Sequence, residues 1–159
     1  SGVDIIYPGG RPNLGSPGRT LGTEEEGRLI SSVDSYRDLT ARGWPLPTVA
    51  GGVYAGELHT FYELLGPKVA FFIGGGVALH TEGPVVGARL CADIIKEAVE
   101  VRNRTRSDEV AADLGGELIR RIERAYDRDK ITADIQFTYI SPSTLTNMTE
   151  GLTSWSAAT

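Results

Sequence analysis

The residues of this chain best suited to chemistry stand where apolar runs end in glycine. Val69-Ala70-Phe71-Phe72-Ile73 stops at Gly74-Gly75-Gly76, and a helix start follows at Pro84. A continuous apolar run reads as a strand buried on both faces, and glycines at its end let main-chain N–H groups approach an anion with no Cβ in the way. The expected ligand is an oxyanion such as phosphate, held at the C-terminal end of a parallel strand. Two earlier strand ends carry glycines as well: Gly9-Gly10 after Val3–Tyr7, and Gly51-Gly52 after Thr48–Ala50. Beside them, Arg11 offers a forked cationic donor and Tyr7 a hydroxyl. His80 can hydrogen-bond the loop or touch the ligand. Glu24-Glu25-Glu26 reads as a helix N-terminus rather than a metal site.

The elements that must position these groups alternate strand and helix. A capping box of Thr23 and Glu26 opens the first helix, Leu29, Ile30, Val33, Tyr36 and Leu39 form its apolar stripe, and Gly43 stops it. The second helix runs near Gly56–Leu65 with His59 on its surface or at an interface, and the third from Pro84 to about Arg102. Another helix is expected from Ser107 to about Asp127, with a plausible break at Gly115-Gly116. Residues 131–159 read as a Ser- and Thr-rich tail. Three strand-then-helix units predict a parallel sheet, and glycines at every strand end favour a barrel mouth over an open doubly wound sheet. Three units cannot close a barrel, so unpaired strand edges and pairing with another chain or copy are expected.

Composition sets the outer limits. With 16 basic against 21 acidic residues and a formal charge of −5, the chain has no cationic stripe to follow a nucleic-acid backbone. No apolar stretch approaches the roughly 20 residues of a membrane span, and a cytoplasmic location is expected. Cys91, the single cysteine, reads as a small buried helix residue.

Three ordered motifs carry a family resemblance. Ser1-Gly2-Val3-Asp4-Ile5-Ile6-Tyr7-Pro8-Gly9, Pro47-Thr48-Val49-Ala50-Gly51-Gly52-Val53, and Ile73-Gly74-Gly75-Gly76 with His80, Gly83, Pro84, Gly87 and Ala88 resemble the large chain of the ribulose-bisphosphate carboxylase (RuBisCO) and RuBisCO-like superfamily. The resemblance implies an α/β fold, a partial (β/α)8 TIM barrel made of about strands 6–8 in residues 1–106. A C-terminal helical extension at 107–130 and the tail at 131–159 would follow. It assigns phosphate binding to Gly51, Gly52, Gly74 and Gly75, with Gly76 beside them.

Departures from the pattern narrow the activity. The lysine that true carboxylases carry in the loop after the sixth strand is missing from residues 8–22, which hold only Arg11 and Arg19. Tyr7 stands where the family has a phosphate-binding histidine, and Ala50 where it has a serine. These changes argue against CO2 fixation. They resemble RuBisCO-like proteins that enolise or isomerise sugar-phosphate relatives. The family's Mg2+ ligands would lie outside this chain, which then corresponds to about a third of a catalytic domain. The remaining barrel portion or a second polypeptide becomes the expected partner. The alternative is a non-catalytic anion-binding or structural subunit.

Overall fold

A computed structural model describes residues 4–8, 12, 14, 22–43, 45–104, 113–127, 139, 141 and 142. Three short strands, β1 (Ile5–Ile6), β2 (Leu46–Val49) and β3 (Ala70–Phe71), form a parallel sheet in the order β1-β2-β3. Ile5 pairs with Leu46 and Ile6 with Pro47, while Thr48 pairs with Ala70 and Val49 with Phe71. Pro47 can sit inside the central strand's register because Leu46 N–H, not residue 47, donates to Asp4 O at 3.1 Å.

Between the strands run α1 (Thr23–Arg42) and α2 (Leu58–Leu65), the latter entered through a single 3-10 turn at Ala55–Glu57. After β3 come the four-residue α3 (Gly75–Ala78), the long α4 (Pro84–Arg104) and α5 (Gly116–Arg124). Helix α1 packs on β2 and α2, α2 on α4, and α4 on α5. Leu29, Val33 and Tyr36 of α1 meet Leu58, Phe61 and Leu65 of α2 and Leu90 and Ile94 of α4 in one apolar core. Polar ties fix the layers: the Tyr36 hydroxyl donates to Thr48 O at 3.0 Å, and Arg37 Nε donates to Leu64 O at 2.9 Å near the end of α2.

Several local expectations change. Helix α1 is capped by Gly22 rather than Thr23, and Glu25, not Glu26, accepts the Gly22 N–H at 3.0 Å. Glycine has no side chain to return the bond, so only half of a capping box exists. Gly43 ends the helix as expected, at φ 73°. β3 is not buried on both faces: Ala70 and Phe71 are half-buried and Phe72 is 62% exposed. Among the described residues its apolar run lies on the sheet's edge, with a strand neighbour on one side only. The break expected at Gly115-Gly116 is present: residues 113–115 are not helical, and Gly115, extended (ψ 142°), caps α5 at Gly116. Ser107 lies outside the described residues.

Gly87 brings α3 and α4 together. A Cβ there would stand 2.5 Å from Val77 O and 3.0 Å from His80 Cβ. Gly87→Ala is therefore expected to destabilise by about 1–3 kcal/mol. Gly27→Ala, on the exposed face of α1 with nothing within 4 Å of the new methyl, is expected to stabilise by up to about 1 kcal/mol. Urea unfolding of both variants checks the contrast.

Candidate functional site

Gly51 and Gly52, just beyond β2, take φ of 81° and 71°, a left-handed turn that a side chain would strain. Both are exposed, as are Gly74 and Gly75 after β3. Gly75 and Gly76 head α3, so their N–H groups have no acceptor within the helix. The two glycine turns touch. A Cβ on Gly76 would lie 2.6 Å from Val53 O and 3.0 Å from Tyr54 Cα, and Val53 and Tyr54 directly follow Gly52. Gly76 is buried, and close packing of one backbone on the other requires glycine there.

Two phenols flank the exposed glycines. The Tyr7 hydroxyl, from the end of β1, is 3.5 Å from where a Gly51 Cβ would be, and the Tyr54 hydroxyl is 3.1 Å from the equivalent point on Gly75. Tyr7 is 52% exposed and Tyr54 is buried. The structure thus groups Tyr7 with Gly51, and Gly75 and Gly76 with the segment after Gly52. Arg11 lies outside the described residues.

His80 is buried and turned inward. Its Nδ1 accepts the Glu82 N–H at 3.1 Å, which places its ring proton on Nε2, and its ring meets Tyr126 edge-on at 6.3 Å. Tyr126 is the residue most closely tied to both turns. Its hydroxyl donates to Gly76 O at 2.7 Å and accepts the Ala55 N–H at 3.1 Å, and its ring packs edge-on to Tyr54 at 5.3 Å. Burial raises its pKa, so the phenol keeps its proton. Nothing in the sequence marked Tyr126 beyond its place near the end of the helix expected to run to about Asp127. Tyr54 had only its nearness to Gly52 as a signal.

A second polar cluster lies behind this mouth. His59, expected on the surface or at an interface, is fully buried, because α2 carries apolar side chains on most of its circumference and is enclosed on several sides. Tyr139 accepts the Leu114 N–H at 3.2 Å and lies 2.7 Å from His59 Nδ1, stacked on the ring. The direction of this bond follows the His59 tautomer, and in either one His59 Nε2 has no partner among the described residues. The Glu57 carboxylate, also fully buried, accepts the Tyr54 N–H at 3.3 Å. Glu63 pairs with Arg102 at 3.6 Å, and Arg102 also lies over the Tyr62 ring. Burial raises the Glu63 pKa against that cation's opposing pull. Cys91 is buried, as expected, and burial raises its thiol to about 11, away from thiolate chemistry.

A groove of about 580 Å³ beside α1, walled by Pro8, Arg28, Ser31, Ser32 and Ser35, contains none of the glycine-turn residues. Among the described residues no group of three or more His, Cys, Asp or Glu side chains could hold a metal ion, and no helix is long and apolar enough to cross a membrane.

No family profile matches the chain. It is similar to RuBisCO large chains from Guillardia theta, at 28% identity over 115 residues, and from Porphyra umbilicalis, at 32% over 106 residues. These matches cover 67% and 62% of this chain. Over about 60% of the chain the similarity to the RuBisCO superfamily is supported, at low identity. The matches take up 24% and 20% of those relatives, so this chain spans about a quarter of their length or less. A solved RuBisCO-like protein from Burkholderia fungorum aligns with 65% of the chain and 24% of its own, at 22% identity and a TM-score of 0.40.

His59 makes the fold acid-sensitive. Burial lowers its pKa from 6.5 to about 4, opposed by Asp113 and Glu97. The unfolded chain therefore binds the proton more readily. His59's contribution is complete above pH 6.5 and is lost as pH falls through 6.5 toward 4, on the order of 3 kcal/mol in all. Urea unfolding at pH 7 and pH 4 is expected to show this loss, and His59→Phe to remove most of the pH dependence between them.

Proposed function

We propose that this RuBisCO-superfamily chain supplies the phosphate-binding part of a RuBisCO-like (β/α)8 barrel. Such a barrel would act on a sugar-phosphate-type substrate by enolisation, isomerisation or related carbon–carbon chemistry rather than by CO2 fixation. The observation that carries the reading is the contact between the turns after β2 and β3, which brings the exposed glycines of both to one end of a parallel sheet. Main-chain N–H groups of Gly51, Gly52, Gly74 and Gly75 would bind the phosphate oxygens. Tyr7, beside Gly51, would donate its hydroxyl where the family carries histidine. A phenol is a neutral donor, which favours a substrate with one phosphate over one with two.

The consecutive strand order supports successive barrel units, and the open edges at β1 and β3 are where further strands would add. The rest of the barrel would come from a further polypeptide portion or another chain. The Mg2+ of the family does not fit the side chains described here, which offer no ligand set, so no step is routed through it.

Calorimetry with inorganic phosphate and with sugar mono- and bisphosphates, with the remainder of a barrel supplied as a separate chain, tests the site. One phosphate is expected to bind, and Gly75→Val to weaken it at least about tenfold. Gly75 has no positive φ, so valine there would act by bulk, against the Tyr54 hydroxyl and in the approach of the ligand. Unchanged affinity in Gly75→Val would overturn the assignment.

A further inference from the structure

We infer that Tyr126 is the positioning residue of the glycine mouth: its single hydroxyl clamps the turn after β3 to the turn after β2 and sets their spacing. The inference rests on the reading of that mouth as an oxyanion site. A phenol has one proton to give and lone pairs to receive, and here both functions are spent on backbone. The proton goes to Gly76 O at 2.7 Å and a lone pair takes the Ala55 N–H at 3.1 Å. Those two backbone groups belong to different turns, each within a few residues of a proposed phosphate-binding amide.

The clamp is itself held rigidly. Tyr126 is 5% exposed, and its ring is wedged edge-on between Tyr54 and His80. Its backbone pairs with His80 in an antiparallel bridge, reinforced by the Thr81 N–H donating to Ala125 O at 2.8 Å. Because Tyr126 stands just past the end of α5, the clamp ties that helix to the geometry of the mouth. Drawing the Gly76 carbonyl toward Tyr126 also fixes the Gly76–Val77 peptide plane inside α3, directly after Gly75, whose N–H is one of the proposed donors. A phosphate bound across both turns would need that spacing kept to a fraction of an ångström.

Tyr126→Phe removes one oxygen and leaves the ring in place. Tyr36→Phe is the control, since the Tyr36 phenol is equally buried but bonds Thr48 O, between α1 and β2. Amide hydrogen exchange of the unliganded chain is expected to speed up roughly tenfold at Ala55 and in Gly75–Ala78 of Tyr126→Phe, the size of one buried hydrogen bond. Exchange at Ile94 and its α4 neighbours is expected to stay at the wild-type rate. Phosphate affinity is expected to fall by a similar factor in Tyr126→Phe and to hold in Tyr36→Phe. Unchanged exchange at Ala55, uniform acceleration that includes α4, or the same mouth-specific change in Tyr36→Phe would each overturn the clamp. Failure of the wild-type chain to bind any phosphate would instead remove the oxyanion reading, with the exchange comparison still deciding the clamp.

Discussion

One phenol between two turns is the interaction on which the arrangement of this chain most depends. The strands are only two to four residues long, too short for the sheet ladder alone to fix where the following loops go. Tyr126 supplies the missing constraint by joining Gly76 O to the Ala55 N–H across fifty and seventy-one residues of sequence. Gly76 and Gly87 then allow the backbone contacts that the clamp demands, one against Val53 and Tyr54 and the other against Val77 and His80. Larger side chains at either position would push apart the elements that the phenol draws together.

Behind the mouth, the interior is unusually polar for so small a core. Glu57, His59, Thr60 and Thr48 are all at least 98% buried. Buried polar groups cost free energy unless they are bonded, and the structure answers that cost unevenly. Glu57 accepts a backbone N–H and His59 Nδ1 meets Tyr139, yet His59 Nε2, Thr48 Oγ1 and Glu63 Oε1 have no partner among the described residues. The stability of α2 therefore rests on Leu58, Phe61 and Leu65 more than on its polar side chains.

Much of the architecture was legible from residue pattern. The alternation of strand and helix, the parallel sense, the stop at Gly43, the end of the second helix at Leu65 and the start of α4 at Pro84 all follow from local rules of periodicity and backbone freedom. Less legible were features set by neighbours distant in sequence. The run at 69–73 looked like an interior strand, but its burial depends on how many strands flank it. His59 looked like a surface or interface residue, but α2 is covered by α1, α4 and Tyr139 together. The break at Gly115-Gly116 could be read from the glycines, but not that Glu97 from another helix accepts the Gly115 N–H there.

By itself, the sequence determined where glycines interrupt apolar runs, and hence which stretches could present bare amides at strand ends. It also carried the RuBisCO-superfamily resemblance, because that lies in ordered local motifs. Only the tertiary structure decided that the turns after β2 and β3 touch, that Gly76 serves packing, and that Tyr126 holds the two turns together. The reason is physical: a glycine's freedom is a property of one residue, whereas a hydrogen bond between groups fifty residues apart exists only once the intervening helices have packed.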